Sequence, residues 1–147
     1  VKYPGGSNPL NLKELANLAD FDTDGRIPAT TTIGHVHLRV ANVEESLKFY
    51  VEIVGFEKQT VLDSVFFVSA GGYHHHVAGN VWAGENNPHP PVNATGLKEY
   101  TILLSTKEAL EELKHQFQQH NYEVHVQEKG FSTKDPSGNG IVFEIQK

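Results

Sequence analysis

Two stretches of the chain, 33–84 and 95–147, carry the same order of strand, helix and three strands, and this repeat limits the possible folds more than any other feature. In the first copy, Val36, Leu38 and Val40 alternate with His35, His37 and Arg39, the period-2 pattern of a strand with one buried face. Asn42 followed by Glu45 forms a capping box that opens a helix through Leu47, Phe49, Tyr50 and Val54, and Gly55 stops it. Strand-like runs follow at 56–62, 64–69 and 73–82, the last after the Gly71-Gly72 turn. The second copy repeats this with a strand over 97–104 and a helix capped by Ser105 and Glu108. Strands over 122–127, 130–134 and 140–146 complete it, with the Asp135-Pro136-Ser137-Gly138-Asn139 turn before the last. One unit of about 50 residues cannot cover both faces of its sheet. The pattern therefore predicts an α+β fold in which two βαβββ modules form a curved mixed sheet around a cleft, with helices on the outside. Residues 1–32, with Pro4, Gly5, Gly6, a short helical pattern at Leu12, Leu15 and Leu18, then Asp22, Asp24 and Gly25, read as an arm or linker.

Composition narrows the chemistry. The chain of 147 residues has no Cys, so disulfides, thiolate metal sites and thiol nucleophiles are excluded, while nine His remain as candidate ligands. A formal charge of −6 argues against nucleic acid and anionic membranes as partners. The sequence lacks a long apolar run and a signal-peptide pattern, and the expected location is cytoplasmic. It begins with Val1 rather than Met, which suggests a fragment or the tail half of a longer protein.

Strand parity sorts the polar residues between the helix side and the hollow. His35, His37 and Arg39 are expected to face the hollow from the first strand. In the last strand of that copy, Val77 and Val81 take Tyr73 and His75 to the helix side, which leaves His74, His76, Ala78, Asn80 and Trp82 inward. The second copy contributes Glu99 and Thr101 from its first strand, and Val142, Glu144 and Gln146 from its last. Imidazoles and carboxylates converging in this way suit Fe(II), Mn(II), Zn(II) or Ni(II).

The segments GHVHLRVANVEESLKFY at 34–50 and DPSGNGIVFE at 135–144 resemble the vicinal oxygen chelate superfamily of glyoxalases, bleomycin and fosfomycin resistance proteins and extradiol dioxygenases. FVSAGGYHHH at 67–76, followed by Asn80-Val81-Trp82, is similar to the C-terminal half of two-domain, glyoxalase-like catechol 2,3-dioxygenases. The resemblance implies a divalent metal, Fe(II) in the extradiol case, and a small aromatic diol as substrate. It implies His35, His76 and Glu99 as a two-histidine, one-carboxylate ligand set, and His74 and His37 as catalytic residues, with His74 or His76 shuttling a proton. Related enzymes have a Glu where this sequence has Val142, with Glu144 two residues on, and a Tyr where it has Ser132. The site is therefore either complete within this chain or shared with an N-terminal half or second subunit. The same resemblance leaves open a glyoxalase-like lyase or isomerase using Ni(II) or Zn(II), with Glu99 or Glu144 as base, and a non-catalytic protein that sequesters an antibiotic.

Overall fold

Alternation of valine and leucine with histidine and arginine makes strand β1 (Val36–Arg39), in which Leu38 is buried and His37 and Arg39 are exposed. The structure is a computed structural model that describes residues 9–19, 26–91 and 93–146; Pro4, Gly5, Gly6, Asp22, Asp24 and Gly25 of the arm lie outside these. Beyond β1, the Asn42 side chain accepts the Glu45 N–H at 2.9 Å and starts α2 (Val43–Lys48). The helix runs on as five π-helical residues, Phe49–Ile53. This widened turn carries the fully buried Phe49 and Tyr50. Gly55 then takes a φ of +89°, which a residue with a Cβ adopts only with strain, and the chain enters β2 (Glu57–Leu62).

Strands β3 (Val65–Ser69) and β4 (Val77–Asn80) finish the first module. The order is β1-β4-β3-β2, with β1 and β4 parallel and the other pairs antiparallel. In the second module β5 (Glu99–Leu104), α3 (Lys107–Gln119), β6 (His125–Gln127), β7 (Gly130–Lys134) and β8 (Gly140–Ile145) repeat this topology as β5-β8-β7-β6, with β5 and β8 parallel. The expected pair of βαβββ modules is present as two four-stranded mixed sheets rather than one continuous ladder. The cap of α3 is Thr106, whose hydroxyl accepts the Ala109 N–H at 3.1 Å, and not Ser105. The strands at 73–82 and 122–127 are shorter than expected, beginning at Val77 and His125.

The helix-bearing faces of both sheets pour into a single core. Phe49 of the π turn packs edge-on to Phe117 of α3 at 5.6 Å, and Phe117 reaches Phe131 and Phe143 of the second sheet. A buried polar link crosses the same boundary. The Tyr50 hydroxyl donates to Asp135 Oδ2 at 3.0 Å and lies 2.9 Å from the Tyr100 hydroxyl, which must then be the donor to Tyr50. Asp135 also accepts from the backbone N–H groups of Ser137 and Asn139, so its turn is fixed by the carboxylate.

The chain divides into two compact units, Val1–Thr32 and Ile33–Lys147. The first contains α1 (Leu12–Leu18), capped by Asn11 and without buried residues. The second holds both modules. No helix among the described residues is long and apolar enough to cross a membrane.

Candidate metal centre

The face of the first sheet opposite its helix carries a cluster of imidazoles. His35, His74 and His75 each offer a ring nitrogen, and these nitrogens lie within 4.8 Å of one another. Ring centroids are 4.2 Å apart for His35 and His75, 4.4 Å for His74 and His75, and 5.9 Å for His35 and His74. Metal–imidazole bonds of about 2.1 Å place two ligand nitrogens no more than about 4.2 Å apart, so small side-chain rotations close this set around an ion. His75 is half-buried, and its pKa falls to about 4, first through burial and then through the neighbouring His35, His74, His37 and His76. It is therefore neutral near pH 7, the form in which imidazole binds metal.

The local chain path explains the membership. Gly71 and Gly72 take φ values of +64° and +72°, and bends follow at His74 and His76, so regular alternation begins only at Val77. Parity extended back from Val77 assigns His75 to the helix side and His76 to the hollow. The structure instead brings His75 beside His35 and 5.0 Å from Phe67. His76 sits between Tyr73 (4.7 Å) and Phe56 (6.2 Å), and its Nδ1 accepts the Ala70 N–H at 3.2 Å. The sequence signal for His75 was the double glycine, which marks where alternation cannot be carried through.

Of the residues singled out in the sequence, His35 and His74 are in the cluster, and His76 and Glu99 are not. Glu99 opens β5 in the second sheet, exposed and 3.5 Å from Lys98. Val142 is buried in β8 between Thr101 and Ser132, and Glu144 lies opposite Gly130 and Leu103. Parity sorts residues by strand face but does not say how the two sheets are disposed. His37 is on the cluster's sheet face, its Nε2 2.7 Å from the Asn80 side-chain amide. The Asn80 carbonyl accepts the Trp82 backbone N–H at 3.1 Å, which turns its NH₂ toward His37. His37 Nε2 is thus an acceptor and its proton rests on Nδ1. Burial, and next the proximity of His35, lowers its pKa.

His35 and His74 are exposed and His75 is half-buried, so the cluster lies at the surface. Two surface hollows, of about 410 and 170 Å³, lie beside the start of α2 and beside α3, and neither is lined by histidine. Among the described residues no carboxylate joins the three imidazoles.

Two mixed sheets of this order and topology are shared with known proteins. Residues 32–143 match the Glyoxalase/Bleomycin resistance protein/Dioxygenase superfamily, and the chain belongs to that family. It is 42% identical over 146 residues to the catechol-2,3-dioxygenase of Bacillus subtilis (strain 168). That alignment takes in 97% of this chain and 51% of the relative, so the chain spans about half the relative's length. The lactoylglutathione lyase of Agrobacterium tumefaciens superposes with a TM-score of 0.59 at 21% identity, over 80% of this chain and 96% of that one. A fosfomycin resistance protein from Mesorhizobium loti gives a TM-score of 0.58 at 8% identity, over 79% and 92%. Both likenesses concern the fold alone.

Proposed function

We propose that this chain supplies the histidine part of a metal-dependent, catechol 2,3-type extradiol dioxygenase site, and that a second subunit or companion half supplies the carboxylate. The observation that carries this reading is the convergence of His35, His74 and His75. The 42% identity to a protein named catechol-2,3-dioxygenase, of which this chain matches about half, supports it. The donor set fits a divalent metal, because it is made only of imidazole nitrogens and His75 is already neutral at pH 7. Fe(II) is the proposed ion, with Mn(II), Zn(II) and Ni(II) chemically compatible. When bound, the metal would supply a template for the vicinal oxygens of an aromatic diol and the redox chemistry of ring cleavage.

The chain's own residues do the rest. His35, His74 and His75 would hold the ion. His37, fixed by Asn80 with its proton on Nδ1, donates a hydrogen bond toward a diol oxygen. His76, held by the Ala70 N–H, braces the bend that presents His74 and His75. Glu99, in this reading, is not a ligand. The proposed compartment is the cytoplasm, where the absence of cysteine is unremarkable.

The test loads metal-stripped protein with Fe(II) under anaerobic conditions, removes free ion and measures metal by elemental analysis. Catechol and oxygen are then admitted and the coloured ring-opened product is followed. One retained Fe per site, with turnover appearing or rising when the remaining half of the relative is added, supports the shared site. A chain that retains no divalent ion overturns it.

A further inference from the structure

Outside the imidazole cluster, the same sheet face carries a run of aromatic rings that the metal reading does not use. Trp82 is the chain's single tryptophan and is 68% exposed, yet it is held from two sides. Its backbone N–H donates to Asn80 Oδ1, and its indole N–H donates to the Ser64 hydroxyl at 3.3 Å. The Ser64 bond restrains the indole before any ligand arrives, which lowers the ordering cost of binding. His37 lies 5.5 Å from the indole, tilted by 44°, and 6.2 Å from Phe67, edge-on at 82°, and Phe67 is 5.0 Å from His75, edge-on at 70°.

The strand register accounts for this run. His37 on β1 and Phe67 on β3 both oppose Ala78 on the central β4, and Ala78 is fully buried. A methyl at that position lets the two flanking rings close over it, where a longer side chain would hold them apart. Rings therefore continue from Trp82 through His37 and Phe67 to His75 and the metal-binding trio. Asn80 fixes the His37 ring and the backbone at Trp82, and Ser64 orients the indole.

We propose that Trp82, His37 and Phe67 form a preset aromatic platform, held by Ser64 and Asn80, that docks the flat ring of a small aromatic ligand beside the His35, His74 and His75 cluster, with Trp82 offering its face and His37 its Nδ1–H edge. This rests on the dioxygenase reading for the identity of the ligand as an aromatic diol, and it makes Trp82 a residue that selects aromatic over saturated diols. A π-face stacks on the indole with favourable electrostatics while the His37 edge stays free to donate to a diol oxygen, and a puckered saturated ring does not stack.

The experiment uses the full chain with metal removed by chelator, so that it reads the platform alone. Catechol is titrated while Trp82 emission is followed, with trans-cyclohexane-1,2-diol as the saturated control and free N-acetyltryptophanamide as the collisional control. The expected result is saturable quenching by catechol, with at least tenfold weaker binding of the saturated diol. By calorimetry, catechol binding should weaken at least fivefold in Trp82→Leu. Phe67→Leu, which keeps the reporter, should weaken the fluorescence titration by a similar factor and serves if Trp82→Leu fails to fold. Linear quenching that matches the free indole, or equal binding of the two diols, overturns the platform. Metal retention is measured on separate, Fe(II)-loaded samples: loss of metal with saturable quenching removes the metal reading and keeps the platform, and the converse removes the platform alone.

Discussion

In the first module the open sheet face carries His35, His37, Phe67, His75 and Trp82; in the second, the equivalent strands carry Glu99, Thr101, Leu103, Ser132 and Glu144. On the covered side the two modules agree much more closely. Leu38 and Val40 correspond to Ile102 and Leu104, and Phe66 opposite Gly79 corresponds to Phe131 opposite Phe143. Even the difference there is a matter of filling. A Cβ on Gly79 would come within 2.4 Å of the Phe66 ring, whereas Phe131 and Phe143 stack at 5.0 Å. The covered faces share one core and must fit each other, while the open faces are free to diverge. In this chain the imidazole chemistry has gathered on one module.

The comparison breaks most visibly if the modules do not share a core. Phe117→Ala should cost about 3–5 kcal/mol, since its fully buried ring contacts Phe49 of the first module and Phe131 and Phe143 of the second. Urea denaturation should remain a single transition by tryptophan fluorescence and by circular dichroism. Two separated transitions, with Trp82 reporting the later one, would show that the first module stands without the second. Next in size is His35→Ala. It removes the residue that joins β1 to the His74-His75 bend, and divalent-ion affinity by calorimetry should fall at least about 100-fold. Retained stoichiometric metal would remove the functional asymmetry between the modules.

Tyr50→Phe tests the polar bond between them. It should cost about 1–3 kcal/mol, because Asp135 loses a buried donor. The cost should also depend on pH. Burial raises the Asp135 pKa above its ordinary value of 3.8, against the hydrogen bonds from Asn139, Tyr50 and Ser137 that hold it down. A carboxyl with a raised folded pKa binds more protons folded than unfolded, so its contribution to stability falls as pH rises from about 3.8 through the folded value. The Tyr50 hydroxyl favours the charged form, so its loss should cost more at pH 7 than at pH 4. A pH-independent difference in denaturation midpoint would show that the tyrosine acts by packing alone.

How much of this was legible in the sequence follows from what each signal encodes. The alternation from His35 to Val40 reports burial of one strand face, and the Asn42 capping box reports a local hydrogen bond; both appear in the structure as read. Likewise, two apolar-patterned repeats demand a shared core, and one is present. The inversion of His75 and His76 has a local cause, since two glycines and two bends reset the parity before β4. Glu99 has a global one. Alternation names the face of a strand, not the distance between two faces on different sheets, so it cannot say whether Glu99 reaches the imidazoles. The π-helical turn at Phe49–Ile53 left no period of its own to detect in so few residues.

The smallest expected effect bears most directly on the asymmetry. Glu99 is exposed and its partner Lys98 more so, and exposed pairs contribute about 0–1 kcal/mol. Glu99→Gln should therefore shift stability by less than about 0.5 kcal/mol. If the imidazoles of the first module form the whole of this chain's contribution to the metal, the substitution should also leave Fe(II) affinity within about twofold, where removal of a ligand would cost far more. A tenfold or greater loss of affinity with unchanged stability would mean that Glu99 from a second copy reaches the trio. The second module would then supply the carboxylate missing from the cluster, and the shared site would be built from two identical chains rather than two unlike halves.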